Sequence, residues 1–478
     1  MDKYLYLFPY EKIPFGSRIL IYGAGDVGQD YLQQMLMTNY CKVMAFLDKS
    51  HDKYPPMIVP IYAPERVLEL QFDYIILAFK AEQRAQDVET FLLNLGIQQS
   101  KIVFQGTRKE VNNIVISDTS SIGHNNQENL AFQTAPLSIA LKYGPGLGDA
   151  IIKKRLFIEI AKMAPEAKID IYCPNGSKYI SSIYSDQPAL NQVIDDGGLL
   201  YVANQKKYTL AMSIFYMIVT DHINYEKLKE FNLDFAEKMQ QHIENHKNYK
   251  LNTFPMSQVW IHFSRSFYRG WNCYSLYNYT NVFNIQDQKV NIPLMPSIEE
   301  NFHKMNLKYY ITLNFGNGAT GKGNKQGISK QWPKEYFDEF VKLFKENYPN
   351  IEILQLGDTT ADHIIGVDRY ILGENLELIK YILKGAIFHL DIEGGLMHLA
   401  TQLGTKCIVL FGSTQPYLFA YPQNINIISE KCGGCYCLHD NHYKCARNLE
   451  KPECMYSITP KMVFEKVEKY FESIKIYR

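Results

Sequence analysis

Three times along this chain a short apolar run ends in a glycine-rich turn and gives way to a helical pattern, and few folds accept that unit. Arg18–Tyr22 leads into Gly23-Ala24-Gly25-Asp26-Val27-Gly28 and a helical stretch through Met37. Ser138–Tyr143 leads into Gly144–Asp149, then a helix from Ala150 to Met163 with Ile151, Ile152, Leu156, Ile160 and Met163 as its apolar residues. Tyr309–Leu313 leads into the glycine-rich stretch Asn314–Gly327, then Lys330-Gln331-Trp332-Pro333 and a helix. That helix carries Phe337, Phe340, Val341 and Phe344 at i, i+3, i+4 and i+7. Further strands read at Lys42–Leu47, Asp73–Ala78, Lys101–Phe104, Lys168–Tyr172, Ile351–Leu356, Ile387–Leu390 and Cys407–Phe411, and a last helix from Pro460 to about Ile474. Strands alternating with helices predict an α/β protein with doubly wound parallel sheets.

A chain of 478 residues is too long for one core and predicts about three domains. The pattern divides it into 1–107, a polar linker at 108–134, a unit at 135–300, and a unit at 301–478 with a cysteine-rich tail at 432–454. Two stretches read less clearly. The run near Tyr208–Val219 is about 12 residues long, too short to span a bilayer, and is expected to be a buried helix, with a membrane-contacting helix as the alternative. The Tyr-rich region Gln205–Tyr279 is expected to hold two or three helices. Lys and Arg together number 50, as do Asp and Glu, so nothing in the bulk charge favours nucleic acid. No long apolar stretch follows the N-terminal Met1-Asp2-Lys3-Tyr4, so no signal peptide is expected.

The first glycine turn has the context of a dinucleotide fingerprint: strand before, helix after, and the acid Asp48 about 20 residues on. Gly23, Gly25 and Gly28 would let the backbone approach a pyrophosphate, and Asp48 would hold ribose hydroxyls. A domain of this size is about half a full dinucleotide fold. Such a half-fold binds a nucleotide or a sugar nucleotide, or carries no ligand. In the second turn Asp149 falls in the first helical turn, where an acid suits the helix dipole or serves as a general base. Lys330 precedes a helix N-terminus, a place that suits either a phosphate contact or an ordinary solvated lysine. In Asp391-Ile392-Glu393-Gly394-Gly395-Leu396-Met397-His398, the two glycines would expose N–H groups to a diphosphate and Glu393 would bind ribose.

The nine cysteines are unevenly placed. Cys41, Cys173, Cys273 and Cys407 are scattered in apolar surroundings, and five fall between Cys432 and Cys454. That pattern fits a reducing cytoplasm and a metal site better than a disulfide framework. Cys432-x2-Cys435, then Cys445 and Cys454, would close a four-thiolate Zn or Fe site, with Cys437, His439 or His442 as substitutes.

In order and spacing, the motifs after Pro136 resemble those of the family 9 glycosyltransferases, the heptosyltransferase group of bacterial envelope synthesis. The turn ending in Gly148-Asp149, Lys330-x-Trp332-Pro333, Glu393-Gly394-Gly395-Leu396-Met397-His398-Leu399-Ala400, Phe411-Gly412-Ser413-Thr414 and the cysteine tail through Ile458-Thr459-Pro460 carry the resemblance. Glu393 stands where that family usually has Asp, and Gly394 where Ser or Thr is usual. Members that glycosylate autotransporter proteins have a similar cluster, which holds iron. The resemblance implies a GT-B architecture: two Rossmann-like lobes, the first (135–300) for acceptor and the second (301–478) for a nucleotide-sugar, ADP-sugar favoured. The N-terminal domain lies outside it and looks like the small Rossmann-like modules attached to surface-glycan enzymes. The implied reaction is inverting transfer of a heptose or similar sugar without a catalytic divalent ion. Asp149 would be the base, and Lys330 would be both catalytic and donor-binding beside Gly146, Gly148, Glu393, Gly394, Gly395, Met397 and His398. Implied partners are a glycan, lipid-linked or protein acceptor, as in lipopolysaccharide biosynthesis, and further copies of the chain. The implied location is cytoplasmic, at the inner face of the inner membrane. Two rivals stay open: an NAD-dependent sugar or nucleotide-sugar oxidoreductase driven by the first domain, and a catalytically dead sugar-nucleotide-binding scaffold.

Overall fold

A computed structural model describes residues 6, 8–38, 40–54, 59–105, 137–249, 262, 266, 269–316, 329–435, 445, 447 and 449–476. The expected linker and most of the glycine-rich loop 314–327 lie outside the described residues, as do Cys437, His439 and His442.

Each glycine-turn unit opens its own sheet. The first contains β1 (Arg18–Tyr22), β2 (Lys42–Leu47), β3 (Ile61–Tyr62), β4 (Tyr74–Leu77) and β5 (Ile102–Val103). Their order is β3-β2-β1-β4-β5, all parallel, with helices α1 (Asp26–Thr38) and α2 (Glu82–Asn94). The second contains β6 (Leu137–Tyr143), β7 (Ala167–Tyr172), β8 (Leu190–Ile194), β9 (Leu210–Ile214) and β10 (Ile218–Ile223), in the order β10-β9-β6-β7-β8. Its helices include α3 (Leu147–Met163), α4 (Tyr225–Phe231) and α5 (Leu233–Asn248). The third contains β11 (Tyr310–Asn314), β12 (Glu352–Gly357), β13 (Arg369–Leu372), β14 (His389–Ile392), β15 (Cys407–Phe411) and β16 (Ile425–Ile428). These are parallel in the order β13-β12-β11-β14-β15-β16, with α6 (Lys334–Asn347), α7 (Leu376–Gly385), α8 (Gly395–Leu403) and α9 (Pro460–Ser473). In the first two sheets the glycine turn follows the first strand, at the point where strand order reverses and ligands enter doubly wound sheets, and in the third β11 ends at such a point. The last two sheets form the two Rossmann-like lobes of a GT-B fold.

The expected helix at Tyr208–Val219 is instead a hairpin. Leu210–Ile214 is wholly buried as β9, and β10 runs back antiparallel as the half-exposed edge. Periodicity does not separate a buried strand from a buried helix over so short an apolar run. Strand pairing against β6 wins because β9 is then enclosed between β6 and the edge strand β10. The helices α4 and α5 follow within the same Tyr-rich region.

The two lobes share one core, in which Ile151, Leu156 and Tyr277 of the first are continuous with Ile382, Leu399 and Leu418 of the second. The segment 273–293 stitches them together. Cys273 N donates to Leu418 O at 2.8 Å, Val290 N to Gln402 Oε1 at 2.8 Å, and the buried Lys154 ammonium to Asn291 O at 2.7 Å. The phenylalanine face of α6 packs on α9, with Phe344 and Phe471 ring centres 6.0 Å apart. Among the described residues no helix is long and apolar enough to cross a membrane.

Candidate active site

The lobes meet where α3 and α8 begin, and each carries a glycine in its first turn because the contact leaves no space for a side chain. A Cβ on Gly148 would lie 2.8 Å from His398 Cδ2, and one on Gly395 would lie 2.9 Å from Leu147 Cβ and 3.2 Å from Gly148 N. Gly394, the N-cap residue of α8, is different: a Cβ there would meet nothing nearer than 3.8 Å. Sterics therefore require Gly395 and permit a side chain at 394. The two N-termini bring two positive helix ends, with the unpaired N–H groups of their first turns, to one place.

Around this point stand the ionisable groups. Lys330 Nζ lies 3.2 Å from Glu393 O and 3.3 Å from Glu393 Oε2, which ties the loop before α6 to the end of β14. His398 Nε2 sits 3.3 Å from the other carboxylate oxygen, and its Nδ1 2.8 Å from Tyr421 Oη. Tyr421 continues to Tyr274 Oη at 2.6 Å, so the network reaches the segment that joins the lobes. Burial pushes the Glu393 carboxyl up, but the Lys330 charge and the hydrogen bonds from His398 and Lys330 prevail and leave it at about 2. Beneath it Asp391 is fully buried and raised by that burial, although His389 and Asn314 bond it.

Asp149, one turn into α3, is about one-third exposed and 4.0 Å from the buried ammonium of Lys153. Its carboxylate folds back over Gly146, where a Cβ would lie 2.7 Å from Asp149 Oδ2. Gly146 adopts φ 128°, open only to glycine, and its N–H is taken by Tyr179 Oη at 2.9 Å. That N–H is therefore engaged rather than offered to a donor, and Gly146 shapes the turn. Gly148 likewise serves the contact between the lobes. Met397 and His398 are buried, so the expected ligand contact of Met397 is limited to its backbone. Sequence reading missed Tyr179, Lys153 and Tyr421 as parts of this site, and nothing in the spacing of three such common residue types marks them. It passed over Ser413 and Thr414 as individual groups, although their loop carried part of the resemblance. Both follow β15, are buried, and have hydroxyls with no partner among the described residues.

Two other groups stand apart. Gly23, Gly25 and Asp48 line one cavity at the reversal point of the first sheet, and Gly28 packs behind it against Gly23. Cys432, Cys435, Cys445 and Cys454 line one cavity of about 10 Å³ with Arg447, Ser329 and Tyr10. The Cys432 thiol is pulled below its ordinary range by the Cys454 hydrogen bond, against burial and with help from Arg447. The donor set suits a soft or borderline metal ion, and Arg447 would offset the charge of four thiolates. Among the described residues, however, no three His, Cys, Asp or Glu side chains stand close enough to hold an ion as they are.

Comparison with known proteins gives two family matches. Residues 319–454 match glycosyltransferase family 9 (heptosyltransferase), and residues 16–103 match the C2185-like N-terminal family. None of the curated proteins matches the chain. Among solved structures, the chain is similar to the Escherichia coli ADP-heptose LPS heptosyltransferase II at 14% identity, covering 70% of this chain and 99% of that one, with a TM-score of 0.42. It is similar to E. coli heptosyltransferase WaaC with ADP-2-deoxy-2-fluoro heptose (14% identity, 70% and 100% covered, TM-score 0.39). It is also similar to the iron-containing dodecameric glycosyltransferase TibC of enterotoxigenic E. coli (14%, 70% and 79%, TM-score 0.43).

Proposed function

We propose that this chain, which carries a glycosyltransferase family 9 domain at residues 319–454, transfers a heptose or similar sugar from an ADP-sugar to a hydroxyl of a surface-glycan, lipid-linked or protein acceptor. The observation that carries the reading is the meeting of the α3 and α8 N-termini beside Lys330, Glu393 and Asp149. In this reading Asp149 takes the proton of the acceptor hydroxyl, whose oxygen bonds the sugar's anomeric carbon as the bond to the nucleoside diphosphate breaks. Attack opposite the leaving group inverts that carbon. The departing diphosphate gains charge, which Lys330 and the first N–H groups of α8 stabilise. Ser413 and Thr414 offer further hydroxyls at the strand ends. The place of action in this reading is the cytoplasmic side of the envelope.

The cysteine tail is read as a structural metal centre held by Cys432, Cys435, Cys445 and Cys454. A bound Zn or Fe ion would cross-link a segment too poor in apolar residues to pack alone. Metal analysis of the untagged chain should find about one ion per chain, as a four-thiolate site requires. A stoichiometry near zero would count against it.

The central test is incubation with a panel of nucleotide-sugars and acceptor extracts, following release of nucleoside diphosphate. Release with ADP-sugars that Asp149→Asn lowers on the order of 10²-fold or more, with donor binding retained, supports the reading. Donor binding without any turnover would leave a binding scaffold instead.

A further inference from the structure

The N-terminal domain holds a second cavity, of about 650 Å³, lined among others by Tyr22, Gly25, Asp48, Phe79, Lys80 and Arg84. It lies at the reversal point between β1 and β4 and owes nothing to the lobes that carry the proposed transfer. Its three glycines do three separable jobs. Gly23 turns the chain at φ +105°. Gly28 lets α1 seat on the sheet, since a Cβ there would lie 1.9 Å from Gly23 O. Gly25 meets neither constraint. Its φ is ordinary, and a Cβ on it would touch nothing within 4 Å. Neither the turn nor the packing asks for glycine there, but a ligand brought against the backbone would.

The groups around Gly25 fit one kind of ligand. The N-terminus of α1, a helix of 13 residues, opens beside it. Lys80 spans from the end of β4 to Asp26 at 2.8 Å, which keeps a cation at the mouth. Asp48 follows β2, its Oδ2 accepting from Ala24 N–H at 2.8 Å and Tyr54 Oη at 3.4 Å and its Oδ1 from Ser50 N–H at 2.8 Å. That leaves acceptor capacity facing the cavity, which suits a pair of vicinal hydroxyls. Tyr22 is 2% exposed, yet its hydroxyl has no hydrogen-bond partner among the described residues. Buried hydroxyls are nearly always bonded, so an orphan donor on a cavity wall points to an acceptor that arrives with a ligand. Burial, then Glu65 and Asp48, push that hydroxyl up to about 12, so it remains a donor. Phe79 and Arg84 supply an apolar face and a cation to flank a base.

We infer that this cavity binds a ribonucleoside diphosphate moiety, with the diphosphate at Gly25 and the α1 N-terminus and the ribose diol on Asp48. An unmodified 2′-hydroxyl is required, because a 2′-phosphate would meet the Asp48 carboxylate. The site is independent of the transferase cleft.

The test uses the full chain and 8-azido-ADP, with photolabelled peptides mapped and ADP as competitor. Label between residues 22 and 88 is expected, displaced by ADP and at least tenfold less well by 2′-phospho-ADP. Gly25→Val should reduce it at least tenfold without moving the unfolding midpoint, since the added side chain enters open space, and Asp48→Asn should weaken it. Lys330→Ala should leave it unchanged. Absence of ADP-displaceable label in 22–88 from the wild-type chain would overturn the inference. So would label that survives both Gly25→Val and Asp48→Asn.

Discussion

At the scale of single residues, Lys330 and Glu393 hold each other at 3.3 Å with about one-tenth to one-sixth of each side chain exposed. A pair so sheltered makes each partner costly to remove alone. Lys330→Ala should therefore weaken nucleotide-sugar binding and also destabilise the chain by about 3 kcal/mol, because Glu393 is left as an uncompensated carboxylate. Adding Glu393→Gln should restore most of the stability and none of the donor affinity, and urea unfolding beside calorimetry separates the two roles. The pair also sets a pH response. Glu393 is depressed from 4.5 to about 2, so its contribution is complete above 4.5 and is lost as pH falls toward 2. That contribution is on the order of 3 kcal/mol. The stability gap between wild type and Glu393→Gln should be widest above pH 5 and close as pH approaches 2. The sequence showed Lys330 and Glu393 as separate site members. It gave no sign that they bind each other, because they stand 63 positions apart in the chain.

At the scale of elements, the two facing helix starts make different demands on neighbouring glycines. Gly395→Ala would drive a methyl group against Leu147 and Gly148 and should cost about 1–3 kcal/mol. Gly394→Ser has room, and its hydroxyl can cap α8, so stability should hold or rise by a few tenths of a kcal/mol. Thermal unfolding of both variants would check this, and equal losses would contradict the packing. The strand–turn–helix units were legible because hydrophobic period, glycine turn and helix start agree with one another in each. The β9–β10 hairpin was not, because Tyr208–Val219 is apolar apart from Thr209 and Ser213 and carries no period. Which lobe a glycine faces is likewise decided by tertiary contact, and two adjacent glycines look alike in sequence.

At the scale of the whole molecule, the N-terminal domain is tied to the cysteine tail. The Arg447 guanidinium lies 4.6 Å from the ring centre of Tyr40 and bonds Glu453 at 2.6 Å, and Tyr10 forms part of the wall of the thiol cavity. Loosening the tail should therefore loosen the domain. Replacing Cys432 and Cys435 together by serine should raise the radius of gyration in small-angle scattering and speed proteolysis within 430–454. Full retention of compactness, with activity alone lost, would place the thiols in catalysis instead. Sequence reading found the four thiols through their spacing, but their neighbours Tyr10 and Tyr40 come from the far end of the chain and leave no local trace.

That contact also constrains how the molecule is made. Domains form as units while the chain is being synthesised, the N-terminal one first. Tyr10 and Tyr40 belong to a domain made before both lobes, and Arg447 and Cys454 follow most of the second lobe in the chain. The N-terminal domain therefore waits, complete but undocked, through synthesis of both lobes. Closure of the thiol pocket around Tyr10 therefore comes after most of both lobes has been made, so a chain terminated before Cys432 would leave the Tyr10 side of that pocket uncovered.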